Sequence, residues 1–169
     1  MSSKLRVDSI LPVDGAPTGG GGGIIQIVHS TATSQTSQSG NVTTFTDTGL
    51  SAAITPKFST SKILVTGYLS YYVDLGGNGS MEWNFAVCDG SNNILDGTTG
   101  ATRGYRHNEQ YAVGGKHPIN FLHSPSTTSS FTYKMRMNAN TANQSGGVYC
   151  QVNGTGNNIS RITLMEVSA

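Results

Sequence analysis

Four histidines, two cysteines and nine acids are the residues of this 169-residue chain best suited to metal binding, proton transfer or nucleophilic attack. A metal centre or an acid–base site needs them at spacings that a fold converts into one cluster. His29, His107, His117 and His123 form no His-Glu-x-x-His motif and no short-spaced pair with a cysteine. They read as solvated or hydrogen-bonded side chains, so neither a metal nor a cofactor is expected. No Gly-x-Ser-x-Gly elbow frames a serine, and Asp89 and Asp96 stand beside glycine-rich turns, which account for them without catalysis. A carboxylate pair for glycoside hydrolysis draws on few acids, several of them in turns or near the N-terminus. No catalytic residue is expected, and the chain reads as a non-enzyme. Cys88 and Cys150 read as buried free thiols, a disulfide requiring strands that bring them together.

Recognition chemistry is concentrated in residues 102–111. Arg103, Tyr105, Arg106, His107 and Tyr111 mix planar cations, phenols and an imidazole, a combination suited to polar surfaces. The competing reading is an ordinary exposed connection whose tyrosines cover a neighbouring sheet or a subunit interface.

These groups must be positioned by strands. Charged residues are only 11% of the chain against about 25% in ordinary soluble domains. Glycine, serine, threonine and asparagine are abundant, which disfavours helices. The clearest strand is residues 62–74, with Ile63, Val65, Leu69, Tyr71 and Val73 on one face and Leu64, Thr66, Tyr68, Ser70 and Tyr72 on the other. Apolar bulk on both faces predicts a central strand covered on each side, with Gly67 marking a bulge or a close backbone approach. Residues 81–87 alternate with Met81, Trp83, Phe85 and Val87 inward, and the turn-rich stretch 75–80 predicts a hairpin between these two strands. Strands are further expected at 24–29, 42–45, 53–54, 119–122, 131–137, 148–152 and 159–167. About eight strands with frequent turns predict an all-β, antiparallel two-sheet sandwich of jelly-roll type, with an up-and-down barrel as the alternative.

Residues 19–23 are five consecutive glycines, without the Lys-Ser/Thr and helix of a phosphate-binding loop. They divide the chain into an N-terminal arm (1–18), a linker (19–23) and a domain (24–169). The arm carries Leu5, Val7, Ile10, Leu11 and Val13, too few to form a core but suited to contacts with a receiving protein. A net charge of +1 without a basic cluster argues against nucleic acid, and no apolar run is long enough for membrane insertion. A proline and an acid interrupt what would be the apolar part of a secretion signal, so assembly in a cytoplasm is expected.

Three separated stretches resemble one group of proteins. Ile54-Thr55-Pro56, followed by Thr60-Ser61-Lys62-Ile63-Leu64-Val65, is similar to a segment of fibre-like virion proteins of tailed bacteriophages, marine and cyanobacterial phages especially. The ending Ile162-Thr163-Leu164-Met165-Glu166-Val167 and the opening Ser3-Lys4-Leu5-Arg6-Val7-Asp8-Ser9-Ile10 resemble theirs too. The resemblance implies a virion protein assembled in the host cytoplasm, commonly a homotrimeric tail fibre, with an N-terminal anchor in another virion protein. The apolar groups on both faces of residues 62–74 agree with self-association. A host-surface polysaccharide or protein would be the outward partner. A capsid decoration (cement) protein is the competing reading, and a polysaccharide-cleaving tailspike a third, disfavoured by the scarcity of acids and the absence of long repeats.

Overall fold

The computed structural model describes residues 23–39, 42–74, 79–97, 102–106, 112–141, 146–152 and 158–168. Within them the chain forms strands β1 (Ile24–Ala32), β2 (Thr36–Ser39), β3 (Val42–Ile54), β4 (Lys62–Asp74), β5 (Gly79–Asp89), β6 (Ile94–Gly97), β7 (Thr102–Arg106), β8 (Ala112–His123), β9 (Phe131–Thr141), β10 (Gly147–Cys150) and β11 (Ser160–Val167), and no helix. All pairings are antiparallel. In the first sheet β8 lies along one edge of β4, while the other edge is shared end to end by β11 at residues 62–68 and β10 at 71–74. β1 and β2 continue outward beside β11 and β10. In the second sheet β3, β9 and β5 lie side by side, with β6 and β7 sharing the free edge of β5.

Counting strands that share an edge as one position leaves eight positions among the described residues. Numbered along the chain, they run 1-8-3-6 in the first sheet and 2-7-4-5 in the second. That order is the jelly roll, so the expected sandwich is present and the barrel is not. Its core is filled from both inner faces: Ile63, Val65, Leu69, Val73, Ile162 and Leu164 meet Leu50, Ile54, Trp83, Phe85, Tyr133, Met135 and Met137. Trp83 is 3% exposed, and Met81, Phe85 and Val87 are buried with it, as the alternation in that strand predicts.

The expected hairpin between β4 and β5 is absent: the two strands belong to opposite sheets. Both edges of β4 are occupied by β8, β10 and β11, so β5 finds its partners across the core. β4 is central, as expected, but its second face is not covered; Leu64 and Tyr68 are half-buried and Tyr72 is exposed. Residues 42–45 and 53–54, read as separate strands, belong to one strand whose register slips twice against β9, between Val42 and Thr46 and between Asp47 and Ser51. Residues 148–152 do not all continue as strand, because Gln151 adopts a left-handed φ of 51°. Buried at 1% exposure, the Gln151 amide accepts from Ser160 Oγ at 2.7 Å and donates to Thr48 O at 3.0 Å, tying the break between β10 and β11 to the opposite sheet.

Candidate functional site

Residues 102–106, read as part of a connection, form the edge strand β7. Its backbone pairs Arg103 with Glu82, Tyr105 with Ser80 and Arg106 with Gly79. Arg103, Tyr105 and Arg106 therefore share one edge of the second sheet, while His107 and Tyr111 lie outside the described residues. So do Leu5, Val7, Ile10, Leu11 and Val13 of the N-terminal arm.

The other histidines occupy separate places. His29 lies on the outer face of β1, with Nδ1 3.0 Å from Thr163 Oγ1. His117 packs on the Phe85 ring at 5.0 Å between centroids, and burial holds its imidazole below the ordinary value. His123 is depressed for the same reason. Burial raises the Tyr133 phenol well above its usual range, so that phenol keeps its proton, and its oxygen lies within hydrogen-bond distance of His123 Nδ1 at 2.8 Å. Among the described residues no group of three or more His, Cys, Asp or Glu could hold a metal ion. Cys88 and Cys150 are buried free thiols on opposite sheets; burial raises both, Cys150 to about 12.

One buried carboxylate organises an end of the sandwich. Glu166 is 0% exposed, on the inward parity of β11 with Ile162 and Leu164. Its Oε1 accepts from the backbone N–H of Lys57 at 2.7 Å and of Phe58 at 3.4 Å, and its Oε2 accepts from Gln26 Nε2. The same Gln26 amide donates to Thr55 O at 2.7 Å. Burial alone would raise this carboxyl, but the adjacent Ser61 hydroxyl, Gln26 and the two backbone amides outweigh it and hold the group below its ordinary value. Two of the three stretches that carry the sequence resemblance thus meet in space: Glu166 of the ending fastens the turn inside residues 54–65. An acid at an otherwise apolar inward position was the signal for this role.

The outer faces of the two sheets differ in chemistry. On the second sheet, β9 satisfies carbonyls that the first register slip in β3 releases from the ladder: Asn138 donates to Thr43 O at 3.0 Å and Arg136 to Phe45 O. Arg136 also pairs with Asp47 at 2.7 Å, and Lys134 with the same carboxylate at 3.5 Å. On the first sheet, register aligns Ile27, Met165, Leu64 and Leu122 in one outward row across four strands, about 14 Å long. Ile27 is 61% and Leu122 53% exposed, although the row's centre is half-buried. Reading each strand alone missed this row, because it exists only once four strands are in register.

No protein-family model matches the chain, and no curated protein does. Among solved structures, the chain is similar to that of infectious bursal disease virus Gx strain, at 11% identity and TM-score 0.40 over 99% of this chain. It is also similar to the VP2 subviral particle of that virus, at 12% identity and TM-score 0.40 over 84% of this chain. The chain spans 42% of the first of these structures and 38% of the second.

Proposed function

We propose that this chain is a bacteriophage virion structural protein, a short tail fibre held by its N-terminal arm and presenting a trimeric jelly roll to the host surface. The observation that carries the reading is the meeting of the two resembling stretches at Glu166, which makes the sequence likeness a likeness of one structural unit. The apolar row Ile27–Met165–Leu64–Leu122 supports self-association, since a contiguous apolar strip on the outer face of a sheet is a common mark of an interface. Leu5, Val7, Ile10, Leu11 and Val13 are assigned to the anchor, and Arg103, Tyr105, Arg106, His107 and Tyr111 to host contact. Three linked arms would hold far more tightly than one.

Electron microscopy of virions carrying an epitope-tagged copy tests the placement, with label expected at the tail. Polar substitution of Leu5, Val7 and Ile10 together is expected to leave the sandwich folded and oligomeric while abolishing incorporation. Substituting alanine at Arg103, Tyr105 and Arg106 is expected to spare incorporation and reduce host adsorption. The competing reading, a capsid decoration protein, is favoured by the same apolar row, which would also seat the first sheet on a shell. Label spread over the head would establish that reading instead.

A further inference from the structure

Eight residues along β4 from Leu64, about 26 Å at strand rise, the outer face of the first sheet changes character. Tyr72 lies opposite Tyr149 on one neighbouring strand and Gly114 on the other. The Tyr149 ring backs it at 6.1 Å between centroids. On the other side, a Cβ at Gly114 would stand 3.8 Å from Tyr72 Cδ2, so the missing side chain leaves that side of the ring uncovered. The result is a groove of about 410 Å³ lined by Ser70, Tyr72, Gly114, Lys116, Val152 and Asn158, together with Tyr71 and Gly115 at its base. That volume lies within the ~300–1,000 Å³ usual for small-molecule sites.

Polar groups along the groove are held in place by the fold. Ser70 Oγ donates to Asn158 Oδ1 at 3.4 Å, and Asn158 Nδ2 donates to Val152 O at 3.0 Å. Lys116 Nζ stands 4.4 Å from the centre of the Tyr68 ring, which fixes a cation at the groove's margin. Asp74, the next outward residue of β4 beyond Tyr72, is on the far side of that ring from Lys116 and outside the lining.

An open aromatic ring offers a surface to the C–H face of a pyranose. The Asn158 amide, held beside it by Ser70 and Val152, suits the sugar's hydroxyls. A lysine as the one charged residue lining it among the described residues selects a carboxylate. We propose that this groove binds a carboxylate-bearing pyranose, a uronic-acid unit of an acidic polysaccharide. The proposal deepens the host-contact reading and rests on it only for the polysaccharide's source. The apolar row and the groove are centred about 26 Å apart on this face.

Saturation-transfer NMR on the full-length protein, with tetragalacturonate and cellotetraose as probes, tests the proposal. Transfer is expected to the acidic tetrasaccharide, with an affinity of about millimolar per site, and to be at least about fivefold weaker for the neutral one. Gly114→Val should abolish it: the added branches cover the Tyr72 ring, while the strand accepts valine because the Cβ itself meets only ordinary contacts. Lys116→Gln should remove the preference for the acid, and an unchanged thermal unfolding midpoint in both variants would show the fold is kept. No transfer to wild type from either probe, transfer that survives Gly114→Val, or equal response to both probes would overturn the proposal. Because the assay uses isolated protein, its failure leaves the virion assignment standing, and label missing from virions would leave the groove standing.

Discussion

Gly67 and Glu166 each make a contact that a slightly different side chain would forbid. Gly67 has a φ of 150°, and a Cβ there would lie 2.1 Å from the carbonyl oxygen of Arg161 on β11. The ladder runs through this point without a slip, so the glycine serves close backbone approach rather than a bulge. Gly67→Ala is therefore expected to cost about 3 kcal/mol in urea unfolding, by combining a strained φ with a forced separation of β4 from β11. Glu166→Gln keeps the shape but puts an amide where a carboxylate accepts from Gln26, Lys57 and Phe58, with an expected loss of about 3 kcal/mol. The sign with pH follows from the shift. Glu166 titrates below its ordinary 4.5 when folded, so its contribution is present above about pH 4.5 and is lost as pH falls through the folded value. His117 and His123 titrate below 6.5 when folded, so the unfolded chain takes up their protons first and stability already declines below about pH 6.5. Unfolding midpoints followed from pH 8 to pH 3 should fall in two stages. Glu166→Gln should flatten only the lower one, and a single unchanged decline in that variant would show that Glu166 does not titrate with folding.

The inward residues of β5 are those its alternation predicts. Trp83 reaches between the sheets from β5, and the strand's other face is closed by Asn84 donating to Asn138 at 2.7 Å, with Ala86 and Cys88 opposite Arg136 and Lys134. β5 is therefore buried on both faces, although its sequence alternates like a half-exposed strand. Cutting Trp83 to alanine removes a large aromatic from a site with little room to collapse, and an expected 3–5 kcal/mol of stability with it. Denaturant titration read by circular dichroism measures this, and a change under about 1 kcal/mol would mean that Trp83 is not part of the core. β3 shows the converse: its first register slip would leave the carbonyls of Thr43 and Phe45 bare, and Asn138 and Arg136 of β9 reach across to fill them.

Assembled, the sandwich has one outer face whose polar groups answer one another and one that carries an unpaired apolar row. The trimer proposed here uses the second. Light scattering is expected to give a mass three times the 17.7 kDa of the chain. Ile27→Ser combined with Leu122→Ser, both at exposed ends of the row, should give single chains with unfolding behaviour little changed. A single-chain mass for the unaltered protein at micromolar concentration would refute the trimer.

Side-chain order along one strand is a local property, and it was legible. Period-two alternation marked β4 and the inward face of β5, and together with the strands expected at 131–137 and 159–167 an all-β sandwich, because a strand directs successive side chains to opposite faces whatever its partners are. The turn-rich residues after Asp74 indicated that the chain reverses there. Turn chemistry says nothing about which sheet receives the returning strand, and occupation of both edges of β4 sent β5 across the core. Short strands such as β2, β6 and β7 carry too few residues for a period to show, so Arg103, Tyr105 and Arg106 read as a connection and fold as an edge. The Glu166 fastening, the row from Ile27 to Leu122 and the groove beside Tyr72 each join residues tens of positions apart. They depend on register between strands, which only the packing of the two sheets against a common core decides.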